Sequence, residues 1–91
     1  MELLGPEKNL LIRYKDGLQA ILNADRDEYT FVDFQIMLPT KSGNPLGAPL
    51  TSAVINVLRR AGVIVNVYGA KPRIFVVDKK KLKELLDTLG E

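Results

Sequence analysis

The sequence contains no cysteine and no histidine. Without cysteine the chain cannot form a disulfide framework or a thiolate metal site, and without histidine it lacks the commonest metal ligand and general base. Ser42 and Ser52 remain as candidate nucleophiles, but neither has a base at a recognisable catalytic spacing. The sequence therefore predicts a protein that is not an enzyme and that uses no metal and no cofactor.

Long apolar runs are also missing. No run approaches the roughly 18 residues that span a bilayer. The start of the chain, Met1 to Pro6, lacks the basic region and long apolar stretch of a signal peptide. We therefore expect no membrane partner and a cytoplasmic location. The 91 residues are 46% hydrophobic and 26% charged, as in folded globules, and a chain this short supports one core. We expect one domain over residues 1–91.

The charge is unevenly distributed along the chain. Residues 1–40 have a formal charge of −3, residues 41–81 of +7, and residues 82–91 of −2. In the central segment eight basic residues stand against Asp78 alone. Such a distribution suits a surface that binds a polyanion, although a random surface of this size would sometimes show it.

The first periodic segment covers roughly residues 6–24. Pro6 suits the first position of a helix. The apolar residues that fall on one face at helical spacing are Leu11, Tyr14, Leu18, Ile21 and Leu22. The alternative is a hairpin that turns at residues 15–17, because Gly17 costs about 1 kcal/mol inside a helix. Helix is the preferred prediction for residues 10–22.

A short helix is predicted after the polar residues 25–28. Thr30, followed three residues later by Asp33, offers an N-cap with an acidic first turn. The predicted apolar surface of this helix consists of Phe31, Phe34, Ile36 and Leu38, and Pro39 ends it. Residues 39–49, which hold three prolines and two glycines, are predicted to be a loop whose role the sequence leaves open.

The third helix is predicted over residues 49–62, and Gly62 is a candidate left-handed cap. Its buried side is predicted to consist of Leu50, Val54, Val57, Leu58 and Ala61. Two β-branched and aromatic runs, 63–68 and 73–77, predict a hairpin. Asp78 is expected to cap a last helix, whose stripe of Leu82, Leu85, Leu86 and Leu89 would face the sheet or a partner.

This order of three helices, a two-stranded hairpin and a C-terminal helix resembles the winged helix-turn-helix family of α+β proteins. The most specific part of the resemblance is residues 50–77, where a helix with a Leu-x-x-x-Gly end runs directly into a strand, a turn with glycine and basic residues, and a return strand. One departure is the long connection 39–49, since the family usually joins its second and third helices by a short turn. That connection could also make contacts through Lys41 and Ser42.

The resemblance implies that the third helix (about 49–62) enters the major groove of DNA and that the hairpin, or wing (about 67–75), contacts an adjacent groove or the phosphate backbone. The side chains that it places toward DNA are Ser52, Asn56, Arg59 and Arg60 on the helix and Lys71 and Arg73 on the wing. Asparagine can pair with adenine, arginine with guanine or phosphate, and serine with backbone oxygens. The acidic residues 25, 27, 28 and 33 are expected away from such a surface.

Each of these basic residues also has an ordinary explanation. Arg59 and Arg60 favour the C-terminal end of a helix dipole, and Lys71 and Arg73 can protect the edge of a hairpin. Asn56 can be a plain surface residue. Lys79, Lys80 and Lys81 start the last helix, where its own dipole disfavours them, so they are either a solvated face or part of a polyanion-binding patch. Tyr68 is the one aromatic candidate for stacking on single-stranded nucleic acid.

The leading hypothesis from the sequence is a double-stranded DNA-binding protein, acting as a transcriptional regulator or as a replication or architectural accessory factor. The alternative is a winged-helix protein-interaction module without DNA binding. A homodimer is a candidate assembly, with an interface from the N-terminal helical segment or from the last leucine stripe.

Overall fold

The fold is α+β in a computed structural model that describes residues 3–38 and 43–90. Within these residues there are five helices and three strands. The helices are α1 (Gly5–Arg13), α2 (Lys15–Asn23), α3 (Phe31–Met37), α4 (Ala48–Arg60) and α5 (Lys79–Leu89). The strands are β1 (Glu28–Thr30), β2 (Ile64–Tyr68) and β3 (Ile74–Val77).

The N-terminal segment is helical, so the hairpin alternative for residues 10–22 is wrong. It forms two helices instead of one, because the backbone leaves the helical region at Tyr14 (φ −109°, ψ 23°). Gly17 lies inside α2, where a Cβ would stand 2.5 Å from the carbonyl oxygen of Met37 and 2.5 Å from a methyl carbon of Leu38. The glycine therefore permits α2 to approach the end of α3 and does not form a turn.

The sheet has three strands in the described chain, so the two-stranded prediction is corrected. β1 pairs antiparallel with β3, which gives the order β1-β3-β2, and Tyr29 and Val67 both stand opposite Phe75. The Tyr29 ring is buried, and its hydroxyl donates hydrogen bonds to the carbonyl oxygens of Arg26 (2.8 Å) and Ile21 (3.2 Å). These bonds fix the polar segment between α2 and β1 against the core.

The predicted helix caps at Thr30 and Asp78 are confirmed. The Thr30 hydroxyl accepts a hydrogen bond from the Asp33 amide, and the Asp33 carboxylate accepts one from the Thr30 amide. Asp78 accepts from the amides of Lys80 and Lys81, and Gly62 ends α4 with φ +80°. The predicted stop at Pro39 and the side chains of Lys41 and Ser42 lie outside the described residues.

One apolar cluster forms the core, and it receives side chains from every helix. The leucine stripe of α5 is buried in it against α2 and α1, so this stripe serves the core of the chain itself, and a homodimer stays a prediction. Two residues predicted on buried helix faces are instead exposed: Ile36 by 60% and Leu50 by 41%. On α4, Ile55 is buried, although the helical pattern did not place it on the buried side.

Residues 43–47 of the long connection are bound to α3. The Leu46 side chain is buried, its amide donates to the Gln35 carbonyl oxygen (3.0 Å), and its own carbonyl accepts from the Gln35 side-chain amide (3.0 Å). The Thr51 hydroxyl then donates to the Gly47 carbonyl oxygen (2.9 Å) at the start of α4. The described part of this connection thus fixes where α4 begins relative to α3.

Candidate nucleic-acid interface

Three of the predicted site residues form a polar stripe along α4. Ser52, Asn56 and Arg59 follow one another at i, i+4 and i+7, so they share one face of the helix. All three are exposed, whereas Val54 and Leu58 on the opposite side are buried. Burial of that opposite side holds the polar stripe outward.

The hairpin turn carries two further predicted residues. Gly69 has φ +79°, and a Cβ there would lie 2.8 Å from the Pro72 carbonyl oxygen, so the turn requires glycine at this position. The Lys71–Pro72 peptide bond is cis. Lys71 is exposed within the turn, and Arg73 is exposed immediately before β3.

The stripe on α4 and the base of the turn meet in one groove of about 350 Å³. Its polar lining is Ser52, Asn56, Arg59 and Arg73, and its apolar lining is Phe31, Ile55 and Phe75. Residues separated by up to 44 positions in the sequence therefore line one groove, which the spacing of the sequence alone does not show. No carboxylate of the described chain lines this groove.

The four polar side chains of the groove make no hydrogen bond or ion pair with other described residues. Two arginines, Arg59 and Arg73, thus line the same groove without a neutralising partner from residues 3–38 or 43–90. Unpaired cations beside each other repel, and an anion placed between them relieves that repulsion. The groove is consequently suited to a negatively charged ligand.

Arg60 lies beside Asn56 and Arg59 on an open part of the surface, but it has a partner within the fold. Its guanidinium donates to the Glu7 carboxylate of α1 in an ion pair. The Glu7 side chain is only 13% exposed, and its other oxygen accepts a hydrogen bond from the Leu4 amide at the start of α1. Arg60 therefore joins α1 to α4 as well as bordering the interface.

Lys79 lies away from the groove. Its ammonium donates hydrogen bonds to the carbonyl oxygens of Leu22 (3.4 Å) and Ala24 at the end of α2. This contact explains why a lysine occupies the first turn of α5: it interacts with the carbonyl end of a different helix. Lys79 therefore has a contact within the fold, and its contact with DNA stays a prediction.

Lys80 and Lys81 have exposed side chains, and their backbone amides bind Asp78. Strand β3 and Asp78 lie between these lysines and Arg73. At the rise of a strand, Arg73 and Asp78 are about 17 Å apart. They lie at the end of β3 opposite the turn. Their contact with DNA stays a prediction that is separate from the groove.

The acidic residues lie outside the groove lining, as the sequence led us to expect. Asp33 forms an ion pair with Arg26 (3.4 Å) in addition to capping α3. Burial opposes ionisation of Asp33, but the hydrogen bonds from Thr30 and the nearby Arg26 guanidinium outweigh burial, so the pKa of Asp33 lies below its usual value.

Tyr68 does not share the groove. In the sheet register it stands opposite Ile74, on the face away from Phe75, and its hydroxyl donates to the Glu28 carboxylate. That hydrogen bond stabilises the protonated phenol and raises the pKa of Tyr68. The aromatic side chains near the basic stripe are instead Phe31, predicted only on the apolar surface of its helix, and Phe75, which lies within a predicted strand. Phe31 directly follows the cap residue of α3, but nothing in its local pattern indicates a groove.

Within the described residues, no helix is long and apolar enough to cross a membrane. The same part of the chain contains no cluster of three or more acidic side chains that could hold a metal ion. Comparison with known protein families, with curated proteins and with solved structures found no match to this chain.

Proposed function

We propose that this protein is a winged-helix domain that binds double-stranded DNA through α4 and the β2–β3 hairpin. The fold proposal is supported by the sequence of elements from α3 to β3: a short helix, a connection, a longer helix that runs directly into β2, and a return strand. The connection is longer than the family's usual turn, but hydrogen bonds between Leu46 and Gln35 join its described part to α3 just before α4.

The single observation that carries the DNA proposal is the convergence of Arg59 and Arg73 without a partner in the described chain. One guanidinium comes from the helix and one from the hairpin, as needed to contact phosphates on both sides of a groove edge. Ser52 and Asn56 stand beside them with hydrogen-bonding groups suited to backbone oxygens and base edges. Lys71 and Arg60, the latter in an ion pair with Glu7, extend the basic surface on either side of the groove.

The proposal is tested by fluorescence anisotropy with a random-sequence duplex at increasing salt. If about four of these side chains contact phosphates, log K should fall against log salt with a slope of about −4. The Arg59→Ala/Arg73→Ala variant should weaken binding at least about tenfold and make the slope shallower by about 2. A flat salt response of the wild-type protein would refute DNA binding.

The matched control is Arg13→Ala/Lys83→Ala, which removes the same charge from two exposed positions outside the groove. It should change the affinity by less than about threefold, because distant charges are screened within roughly 10 Å at ordinary salt. Equal losses in the two double variants would mean that net charge, and not the groove, determines binding. A Lys80→Ala/Lys81→Ala variant tests separately whether the start of α5 reaches the same duplex.

A second candidate is a protein-interaction module, and one observation favours it. Val32 (56% exposed) and Ile36 (60% exposed) lie four residues apart on one face of α3 and so form a small apolar stripe. This candidate predicts that wild-type protein fails to bind duplex DNA at low salt. It also predicts that Val32→Ser/Ile36→Ser abolishes association with a partner, whereas Arg59→Ala/Arg73→Ala does not.

A further inference from the structure

The groove beside α4 has an apolar floor that a phosphate contact does not require. Phe31, Ile55 and Phe75 line the same space as the two arginines. Ile55 and Phe75 are almost fully buried, whereas Phe31 is half-buried at the first position of α3. A hydrated phosphate gains nothing from contact with such a floor, since burying charge against apolar groups is unfavourable.

The lining therefore combines three kinds of group in one place. Arg59 and Arg73 are suited to an anion, Asn56 and Ser52 to the hydrogen-bonding edge of a planar ring, and Phe31 to the face of that ring. The volume of about 350 Å³ lies at the lower end of the range for small-molecule sites, about 300 to 1,000 Å³. This set of groups corresponds to the parts of one nucleotide.

We infer that the groove binds a single unstacked nucleotide, with its base against Phe31 and its phosphate between Arg59 and Arg73. As a property of DNA binding, this inference rests on the proposed function, and it specifies the preferred partner: DNA with an unpaired nucleotide rather than a perfect duplex. Base stacking on an aromatic side chain contributes to affinity with little dependence on sequence. An unpaired base is also extruded at less cost than a paired one.

Two sources can supply this chemistry, a nucleotide within DNA and a free nucleotide. The first arm of the test compares a perfect duplex with the same duplex carrying one bulged adenine. The expected preference for the bulged duplex is about tenfold, within the range measured for stacking of one base. The second arm titrates dAMP and follows the amide resonances of Asn56 and Arg59 by NMR.

The variant that isolates the floor is Phe31→Leu, which keeps an apolar side chain and removes the aromatic face. It should reduce the preference for the bulged duplex to about twofold or less while leaving the affinity for perfect duplex within about twofold. Phe31→Tyr retains the ring and should retain the preference. Val32→Leu, at the exposed neighbouring position, is the control and should change neither value.

The outcomes separate this inference from the proposed function. Salt-dependent duplex binding with no preference for the bulge and no response to dAMP overturns the nucleotide site alone. Failure to bind perfect duplex, together with dAMP binding that Arg59→Ala weakens, refutes the duplex function and retains the nucleotide site. If Phe31→Leu lowers the melting temperature, the test depends on Phe31→Tyr. Loss of the preference for the bulged duplex in Phe31→Tyr, which keeps the aromatic ring, would contradict stacking.

Discussion

The contact between α2 and α5 and the groove beside α4 use cationic side chains in opposite ways. In the α2–α5 contact, Lys79 binds the carbonyl oxygens at the end of α2. At the other end of this contact, the Lys15 ammonium lies beside Gly90, the residue that follows α5. It stands 3.3 Å from the position that a Cβ on Gly90 would take. Each helix thus begins with a lysine placed at the carbonyl end of the other, where helix dipoles favour positive charge by about 0.3 to 1 kcal/mol.

In the groove, by contrast, Arg59 and Arg73 find no partner among the described residues. Lys79, Arg59 and Arg73 all belong to the basic segment 41–81, so the sequence alone does not distinguish the two regions. The difference shows that a basic side chain indicates a ligand site only when the fold provides no hydrogen-bond or ion-pair partner for it. Substitutions in the first region should therefore change stability, and substitutions in the second should change ligand affinity.

The largest expected effect on the α2 side is that of Gly17→Ala. A Cβ at this position would stand 2.5 Å from the Met37 carbonyl oxygen, which is backbone and cannot rotate away, so α2 and α3 must separate. Overpacking of this kind costs about 1 to 3 kcal/mol, against about 1 kcal/mol gained from the helix propensity of alanine. We expect a net loss of up to about 2 kcal/mol in the free energy of unfolding, measured by urea denaturation.

Gly5→Ala is the matched control, because Gly5 also lies in a helix but has no atom within 4 Å of an added Cβ among the described residues. It should leave stability unchanged or raise it by up to about 1 kcal/mol. Equal stability of the two variants would contradict the close approach of α2 and α3. Under the proposed function, the folded fraction of either variant should bind duplex as the wild type does.

A smaller effect is expected for Lys79→Met, which keeps the apolar stem and removes the ammonium. The loss of its hydrogen bonds to the Leu22 and Ala24 carbonyl oxygens should lower the free energy of unfolding by about 1 kcal/mol. Lys80→Met, at an exposed neighbouring position, should change it by less than about 0.5 kcal/mol. The two variants are compared by thermal unfolding. If Lys79→Met loses DNA binding without losing stability, Lys79 contacts DNA.

An effect similar in size to that of Lys79→Met concerns Asp33, an acidic residue whose charge is used within the fold. Its pKa is lowered in the folded state, so its stabilising contribution is present above the unfolded value of about 3.9 and is lost as pH falls through the folded value. Asp33→Asn should cost about 1 kcal/mol at pH 6, because it weakens the capping box with Thr30 and the ion pair with Arg26.

This difference between wild type and Asp33→Asn should shrink when the pH is lowered below 4, as measured by urea denaturation at several pH values. Asp25→Asn, an exposed carboxylate without a hydrogen bond in the described chain, is the control and should change stability by less than about 0.5 kcal/mol. A difference for Asp33→Asn that stays constant from pH 6 to pH 2 would exclude the charge of Asp33 as its cause.

Much of the fold could be predicted because its signals are local. The apolar spacing in α5, the caps at Thr30 and Asp78, and the strand-forming runs on either side of Gly69 each depend on residues a few positions apart. β1 could not be predicted in this way, since it has three residues and only Tyr29 among them is buried. Its existence depends on pairing with β3, more than 40 positions further along the chain.

The candidate site divides along the same line. The polar stripe of α4 and the basic turn followed from helical spacing and hairpin chemistry. The contribution of Phe31 did not, because the groove exists only where α3, α4 and the base of the hairpin meet. The contact of Lys79 within the fold could not be predicted either, since its partners at Leu22 and Ala24 lie more than 50 positions away.

The sequence by itself determined most of the helices, the β2–β3 hairpin and the basic character of the central segment, because these properties depend on neighbouring residues and on composition. Only the tertiary structure decided which charges remain available. Arg60 forms an ion pair with Glu7, and Lys79 donates hydrogen bonds to the end of α2. Arg59 and Arg73, by contrast, line a common groove. A charge is neutralised by whatever lies within a few ångströms in space, and that proximity is created by packing between distant segments.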